Sequence, residues 1–255
     1  MSGVYVQTLG AGKPLVLIHG WAMHSGIWGG FANKLAEHYK LILVDLPGHG
    51  HSLPISPFTL KTIATQLAKS TDYEPCCWLG WSMGAQVVLQ MAADFPSRVN
   101  KLILLAGTPC FVAIDDWPGM KESLLNSFAD MLAIDSKETL TRFLSLQVKN
   151  TDNSKSILTE LKSALASAKF PDQETLQGGL EILKTADLRP VMSSLMQPTG
   201  AILGKHDTLV SAKTGVAMQQ LMPSLQLHLV DRAGHTPFLS HTQHVVDLIC
   251  LFMDD

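Results

Sequence analysis

The chain has 255 residues, is 46% hydrophobic and carries a formal net charge of −3. That length suits one large domain or one domain with an insertion, and the apolar content is ample for a sizeable core. The mild acidity argues against a general nucleic-acid or membrane-surface role, and no apolar run reaches the ~18 residues of a membrane span.

Met1-Ser2-Gly3-Val4 has no basic stretch and no long apolar segment behind it, so no signal peptide is expected. Val4 to Leu9 alternates and reads as an edge strand. Pro14 to Ile18 is solidly apolar, as a strand covered on both faces would be. The loop His19-Gly20-Trp21-Ala22-Met23 follows, and Ile27 to His38 has helical spacing. Leu41 to Val44 is a second buried strand, ending in Asp45-Leu46-Pro47-Gly48. Leu60 to Lys69 reads as a helix, Cys76 to Leu79 as a buried strand and Val87 to Ala93 as the start of a helix. Lys101 to Ala106 is the next strand. Alternating strands and helices imply a mostly parallel sheet covered on both faces.

The pattern then changes. From about Phe111 to Arg189 no strand candidate is found. Lys121 to Leu132, Lys137 to Val148, Lys155 to Lys169 and Gln173 to Thr185 all have helical spacing. Strands resume at Thr199 to Leu203 and Leu225 to Val230, and a last helix runs from about Thr242 to Phe252. The expected division is an α/β core of residues 1–110 and 190–255, interrupted by a helical lid over 111–189.

Gly80-Trp81-Ser82-Met83-Gly84 joins a strand to a helix. This is the nucleophile-elbow pattern, a serine on a sharp turn where glycines avoid crowding and tolerate strained dihedrals. A serine needs an adjacent base. Of ten histidines, His235 stands directly after the last strand, in a loop at the ligand-facing end of the sheet. An acid must orient that base. Asp207 follows the strand Thr199 to Leu203 and precedes His235 by one strand–helix–strand unit, with Asp231 as the fallback. The oxyanion hole would take the N–H of Met83 and one from the His19-Gly20-Trp21 loop, hence Trp21. The Trp21 ring is expected as a pocket wall, and His19 as a residue that shapes its loop.

The four cysteines, Cys76, Cys77, Cys110 and Cys250, show neither metal spacing nor a C-x-x-C pattern. Cys76 and Cys77, adjacent in a strand, should point to opposite faces. Buried free thiols fit a reducing cytoplasm. No metal and no cofactor is expected.

His19-Gly20-Trp21, Asp45-Leu46-Pro47-Gly48, Gly80-Trp81-Ser82-Met83-Gly84 and Gly234-His235 resemble the α/β-hydrolase superfamily. Pro109-Cys110-Phe111, Asp116-Trp117-Pro118-Gly119, Arg142 to Gln147 and Gly178 to Thr185 look like the pimeloyl-acyl-carrier-protein methyl ester carboxylesterases of biotin synthesis. The resemblance spans the whole chain. It implies a cytoplasmic, cofactor-free enzyme that removes the methyl ester from a pimeloyl chain on acyl carrier protein and releases methanol; a monomer is expected. It implies Ser82, Asp207 and His235 as the triad, and Trp21 and Met83 as the oxyanion hole. Phe143, Leu144, Ser145, Leu146 and Gln147 would line the acyl channel, and substrate would also meet Trp21, Ser82, Met83 and His235. Basic residues in the insertion would grip the acidic carrier, here Arg142, Lys155 and Lys162. Glu138 and Thr159 stand where the resemblance implies basic side chains.

The insertion's charges also read without the family. Arg142, Lys149, Lys155, Lys162 and Lys169 lie six or seven residues apart, against Asp152 and Glu160 in the same span. Lys155, Lys162 and Lys169 would share one helix face. The stripe is either a solvated face or a docking surface for an acidic partner. Two other activities compete. One is a general short-chain carboxylesterase or thioesterase of the same fold, acting on small esters. The other is a non-catalytic ligand sensor, against which the complete set of Ser82, Asp207 and His235 argues.

Overall fold

The structure, a computed structural model, describes residues 3–70 and 75–254. Met1 and Ser2, part of the stretch read above for a leader, lie outside them. Seven strands form one sheet: β1 (Val6–Leu9), β2 (Pro14–Ile18), β3 (Lys40–Val44), β4 (Cys76–Trp81), β5 (Val99–Leu105), β6 (Thr199–Gly204) and β7 (Gln226–Val230). Their order is β1-β3-β2-β4-β5-β6-β7. Only β1 runs antiparallel to its neighbour, and it lies at the sheet's edge.

The middle strands are apolar at nearly every position because both faces are covered. Val16, Ile18, Ile42, Val44, Cys76 and Trp78 pack into one core. Leu15, Leu17, Leu41, Leu43, Cys77 and Leu79 pack into the other. The period-two alternation thus sends Cys76 and Cys77 to opposite faces, both as free thiols. The helices that cover the faces are α1 (Gly29–Leu35), α2 (Leu60–Ser70), α3 (Met83–Asp94), α9 (Ala212–Leu221), α10 (Pro237–Ser240) and α11 (Thr242–Asp254).

The single helix expected from Ile27 to His38 is broken. A 3₁₀ turn over Ser25–Trp28 meets Gly29, at φ 33° and ψ −121°, and α1 starts there. That backbone state is open to glycine and strained for other residues, so it resets the helix axis.

Between β5 and β6 the chain forms α4 (Glu122–Ile134), α5 (Ser136–Gln147), α6 (Ser154–Ala166), α7 (Gln173–Thr185) and the short α8 (Arg189–Ser194). Asp135 and Asp172 cap α5 and α7 by accepting from Glu138 N–H and Thr175 N–H. The two ends of this excursion meet. Cys110 and Asp187 form an antiparallel bridge, and Leu188 N–H donates to Pro109 O at 2.9 Å. α6 ends at Ala166, so Lys169 falls beyond the helix and leaves the face that Lys155 and Lys162 share. Among the described residues no helix is long and apolar enough to cross a membrane.

Candidate active site

β4 delivers Ser82 to the carboxyl edge of the sheet, where the Ser82 N–H still pairs with Leu105 O of β5 at 3.0 Å. α3 starts at the next residue. The turn between them is held in the serine itself, which sits at φ 57° and ψ −121°. A non-glycine residue there stores about 1–3 kcal/mol of backbone strain. Neither Gly80 nor Gly84 has positive φ. Both are needed for close approach instead. A Cβ on Gly84 would stand 2.5 Å from Ile18 O, and one on Gly80 would run into the Gly84 carbonyl. The glycines let α3 dock against β2 and β4, and the serine takes the strain.

His235 lies in the loop between β7 and α10. Its Nε2 is 2.8 Å from Ser82 Oγ, and its Nδ1 is 2.8 Å from Asp207 Oδ2. The other Asp207 oxygen, Oδ1, accepts from Leu209 N–H at 2.8 Å and Val210 N–H at 3.0 Å, so the carboxylate has one orientation. The loops after β6 and β7 are stitched together by His206 N–H donating to Ala233 O at 2.8 Å. The His235 backbone is held on both sides: its N–H donates to Gln147 O at 3.0 Å, and its carbonyl accepts from Trp81 Nε1 at 2.8 Å. Asp231, the alternative acid, points to solvent and pairs with Lys205 at 2.6 Å.

The loop after β2 lies over the serine: a Cβ on Gly20 would be 3.1 Å from Ser82 Cβ. Met83 opens α3, so its N–H is a first-turn donor with no carbonyl partner inside the helix. Trp21 follows Gly20 in the loop that lies over the serine, which makes its main-chain N–H the candidate second donor. The Trp21 ring is buried, stacks edge-on against Phe143 of α5 at 4.9 Å between centroids, and donates from Nε1 to Leu176 O of α7 at 3.0 Å. Phe128 of α4 meets Phe143 at 5.7 Å in turn. α7 comes this near because residue 179 is glycine; a Cβ there would stand 2.4 Å from Trp21 Cδ1 and 3.4 Å from Met83 Sδ.

Of the expected channel residues, Phe143 and Gln147 therefore reach the site. Leu144 joins the second core, and Ser145 is exposed with its hydroxyl donating to Thr141 O. Leu146 is half-buried, and its carbonyl accepts from Thr208 Oγ1 at 3.4 Å. Arg142 is exposed and tied to Glu138 at 3.0 Å, while Lys155 and Lys162 are exposed on α6. The supporting contacts of Trp81, Gln147 and Leu176 carry no sequence signal, because all three use backbone carbonyls as acceptors, whose partners no residue type announces.

Beneath the Trp21 loop are two buried histidines. His19 Nδ1 donates to Gly20 O at 2.8 Å, and its Nε2 accepts from Leu46 N–H at 2.9 Å. A proton on Nε2 would evict that amide, so the fold demands a neutral ring. His49 Nδ1 donates to Pro47 O at 2.9 Å, and its Nε2 is buried without a hydrogen-bond partner among the described residues. Burial pushes His19 down to about 3, helped by the neighbouring His49, and His49 down to about 4. The unfolded chain thus takes up protons below about 6.5 that the native state refuses, and stability falls as pH falls from there toward 4, by up to about 1.4 kcal/mol per pH unit for each ring. Urea unfolding of the parent and of His49→Gln at pH 7 and pH 5 checks this. The parent should lose more stability over that interval, and equal losses would contradict it.

A family model described as "alpha/beta hydrolase fold" matches residues 13–242. A pimeloyl-[acyl-carrier protein] methyl ester esterase from Methylococcus capsulatus is 41% identical over 251 residues, covering 98% of each chain. One from Nitrosomonas europaea is 40% identical and covers 96% of this chain and 98% of its own. Among solved structures, an esterase from Exiguobacterium antarcticum superposes with a TM-score of 0.89 at 22% identity, covering 99% of this chain and 96% of that one. Matched along nearly its whole length, with the strained serine, histidine and aspartate in one hydrogen-bonded line, the chain belongs to the α/β-hydrolase fold family and, within it, to the family of the pimeloyl-[acyl-carrier protein] methyl ester esterases.

Proposed function

We propose that this protein is a serine carboxylesterase that hydrolyses the methyl ester of pimeloyl-acyl-carrier protein, yielding pimeloyl-acyl-carrier protein and methanol, in biotin synthesis. The chemistry is carried by the unbroken line Ser82 Oγ–His235–Asp207. The substrate is carried by the names of relatives about 40% identical over the full chain.

In this reading His235 Nε2 takes the Ser82 proton as Oγ attacks the ester carbonyl. The tetrahedral oxyanion is met by the Trp21 and Met83 N–H groups, each worth about 3 kcal/mol to such a transition state. Methoxide leaves with the proton returned by His235, and Ser82 holds the acyl chain. Water, deprotonated by the same histidine, then adds to the acyl carbonyl, and the free carboxylate departs as Ser82 regains its proton. Asp207 holds Nδ1–H toward itself and balances the imidazolium.

The enclosure of the site favours a slender substrate. Ser82 is 3% exposed, and Trp21, in the loop next to it, packs on Phe143, which packs on Phe128. A linear chain presenting its terminal ester end-on suits such walls. Residues 111–189 serve as a lid whose inner side, through Phe143 and Gln147, lines the acyl channel, and whose outer side carries Arg142, Lys155 and Lys162 toward the acidic carrier. The enzyme acts as a cytoplasmic monomer without a cofactor.

Mass analysis after mixing the protein with methyl-pimeloyl-carrier protein tests the activity. The carrier should lose the mass of one methylene as ester becomes acid, and an unchanged mass would refute the substrate. Charge reversal at Arg142 and Lys155 together should raise KM for the carrier-bound ester on the order of tenfold, and added salt should do the same. Hydrolysis of a free short ester should not change. If both treatments leave carrier-bound turnover as it was, the stripe is a solvated face.

A further inference from the structure

We infer that Trp81, the residue before the nucleophile, is a positioning residue for His235: its indole N–H holds the histidine's own backbone carbonyl in register with Ser82. The inference rests on the serine-hydrolase reading above. The bond is 2.8 Å long and buried, and it joins residues 154 apart in sequence.

The geometry gives Trp81 this part. Ser82 and Trp81 are consecutive, and both reach His235, one at its imidazole and the other at its carbonyl. The two contacts close a small ring: Trp81 backbone, Ser82 hydroxyl, His235 imidazole, His235 carbonyl, Trp81 indole. Within that ring the distance from nucleophile to base is set by covalent geometry and two hydrogen bonds. The Asp207 bond at Nδ1 orients the imidazole but leaves the loop's height above β4 free. The Gln147 carbonyl fixes the same loop from α5, on the side of the inserted helices. Trp81 is the anchor from the sheet. Its ring also supports the loop, lying 5.9 Å from the His235 ring and 5.1 Å, edge-on, from Phe238. The sequence pattern Gly-x-Ser-x-Gly treats this position as arbitrary, whereas here the x carries a donor aimed at the base.

A neighbouring tryptophan separates positioning from packing. Trp28 is fully buried in the same aromatic cluster, 6.3 Å from Trp81 and 4.9 Å from Phe238 between centroids. Its Nε1 is buried with no hydrogen-bond partner among the described residues. Trp28→Phe therefore removes an indole from the cluster and no hydrogen bond, while Trp81→Phe removes an indole and the bond to His235. On a short free ester, Trp81→Phe should lower kcat about 10- to 100-fold with KM within about twofold, as a displaced catalytic group does. Covalent labelling of Ser82 by a fluorophosphonate should slow in proportion. Trp28→Phe should lower the melting temperature and keep kcat and labelling within about twofold of the parent. Should Trp81→Phe not fold, benzothienylalanine at position 81 keeps the ring outline, replaces N–H by sulfur, and should give the same losses. The inference is overturned if position-81 variants keep the parental kcat and labelling rate, or if Trp28→Phe loses as much. A parent protein that neither labels nor hydrolyses esters would sink the serine-hydrolase reading itself, and the positioning role with it.

Discussion

Ser82→Ala should give a folded protein whose ester hydrolysis is slower by about 10⁴-fold or more. The substitution removes one oxygen from a buried position and leaves the strained turn, since alanine has the same backbone restrictions as serine. His235→Ala should cost as much. Asp207→Asn is the more informative change. An asparagine oxygen can still accept from Leu209 and Val210 N–H, so the loop keeps its shape. Its amide then faces His235 Nδ1 as a donor, which forces the ring into the wrong tautomer. A loss of similar order with an unchanged melting curve is expected, whereas Asp231→Asn, at an exposed residue paired with Lys205, should change little. Near-parental turnover in Ser82→Ala would end the serine mechanism, and loss in Asp231→Asn alone would reassign the acid.

Gly179→Ala should lower kcat about 100-fold, although the residue lies in α7 and is far in sequence from all three members of the line. The added methyl would stand 2.4 Å from Trp21 Cδ1 and 2.8 Å from its Nε1. Trp21 has little room to yield: Phe143 closes one side and Leu176 O holds its nitrogen. Either α7 lifts or the Trp21 loop shifts, and a shifted loop would carry the proposed oxyanion donor with it. Gly178→Ala is the control, because its methyl would press on Phe58 Cβ at 2.7 Å and not on Trp21. It should cost stability and spare most of kcat. Comparable kcat losses in the two variants would show that disturbing α7 anywhere suffices, and that the approach at Gly179 has no special effect.

Apolar runs made the parallel strands legible, and glycine spacing made the elbow legible. Pro14–Ile18 has the expected limits because its run is flanked by polar residues. β4 extends two residues past the expected Leu79, through Gly80 and Trp81, because that glycine serves helix approach and does not end the strand. α9 was implied between β6 and β7, but its limits were not readable: its buried positions are Thr214, Gly215 and Met218, which make almost no apolar stripe. Ser82 could be nominated from its flanking glycines, and His235 and Asp207 from strand-end positions, since a parallel sheet gathers the loops that follow its strands. What holds that line in place could not. The acceptors for the His235 amide and the Trp21 indole are main-chain carbonyls, and sequence says which side chains exist without saying where a carbonyl will point.

The Gln147 carbonyl has a consequence for protein engineering. Transplanting the stretch between β5 and β6 from another relative is an obvious route to a new acyl-chain preference, because that stretch supplies Phe143 against Trp21. The graft would also replace the acceptor of the His235 N–H and the acceptor of the Trp21 indole. Selectivity and turnover are therefore not independent modules in this enzyme. Chimeras that keep residues 145–147 of α5 and residues 176–179 of α7 while varying the rest of the stretch, Phe143 included, should retain rate as they change selectivity, and wholesale swaps should lose both together.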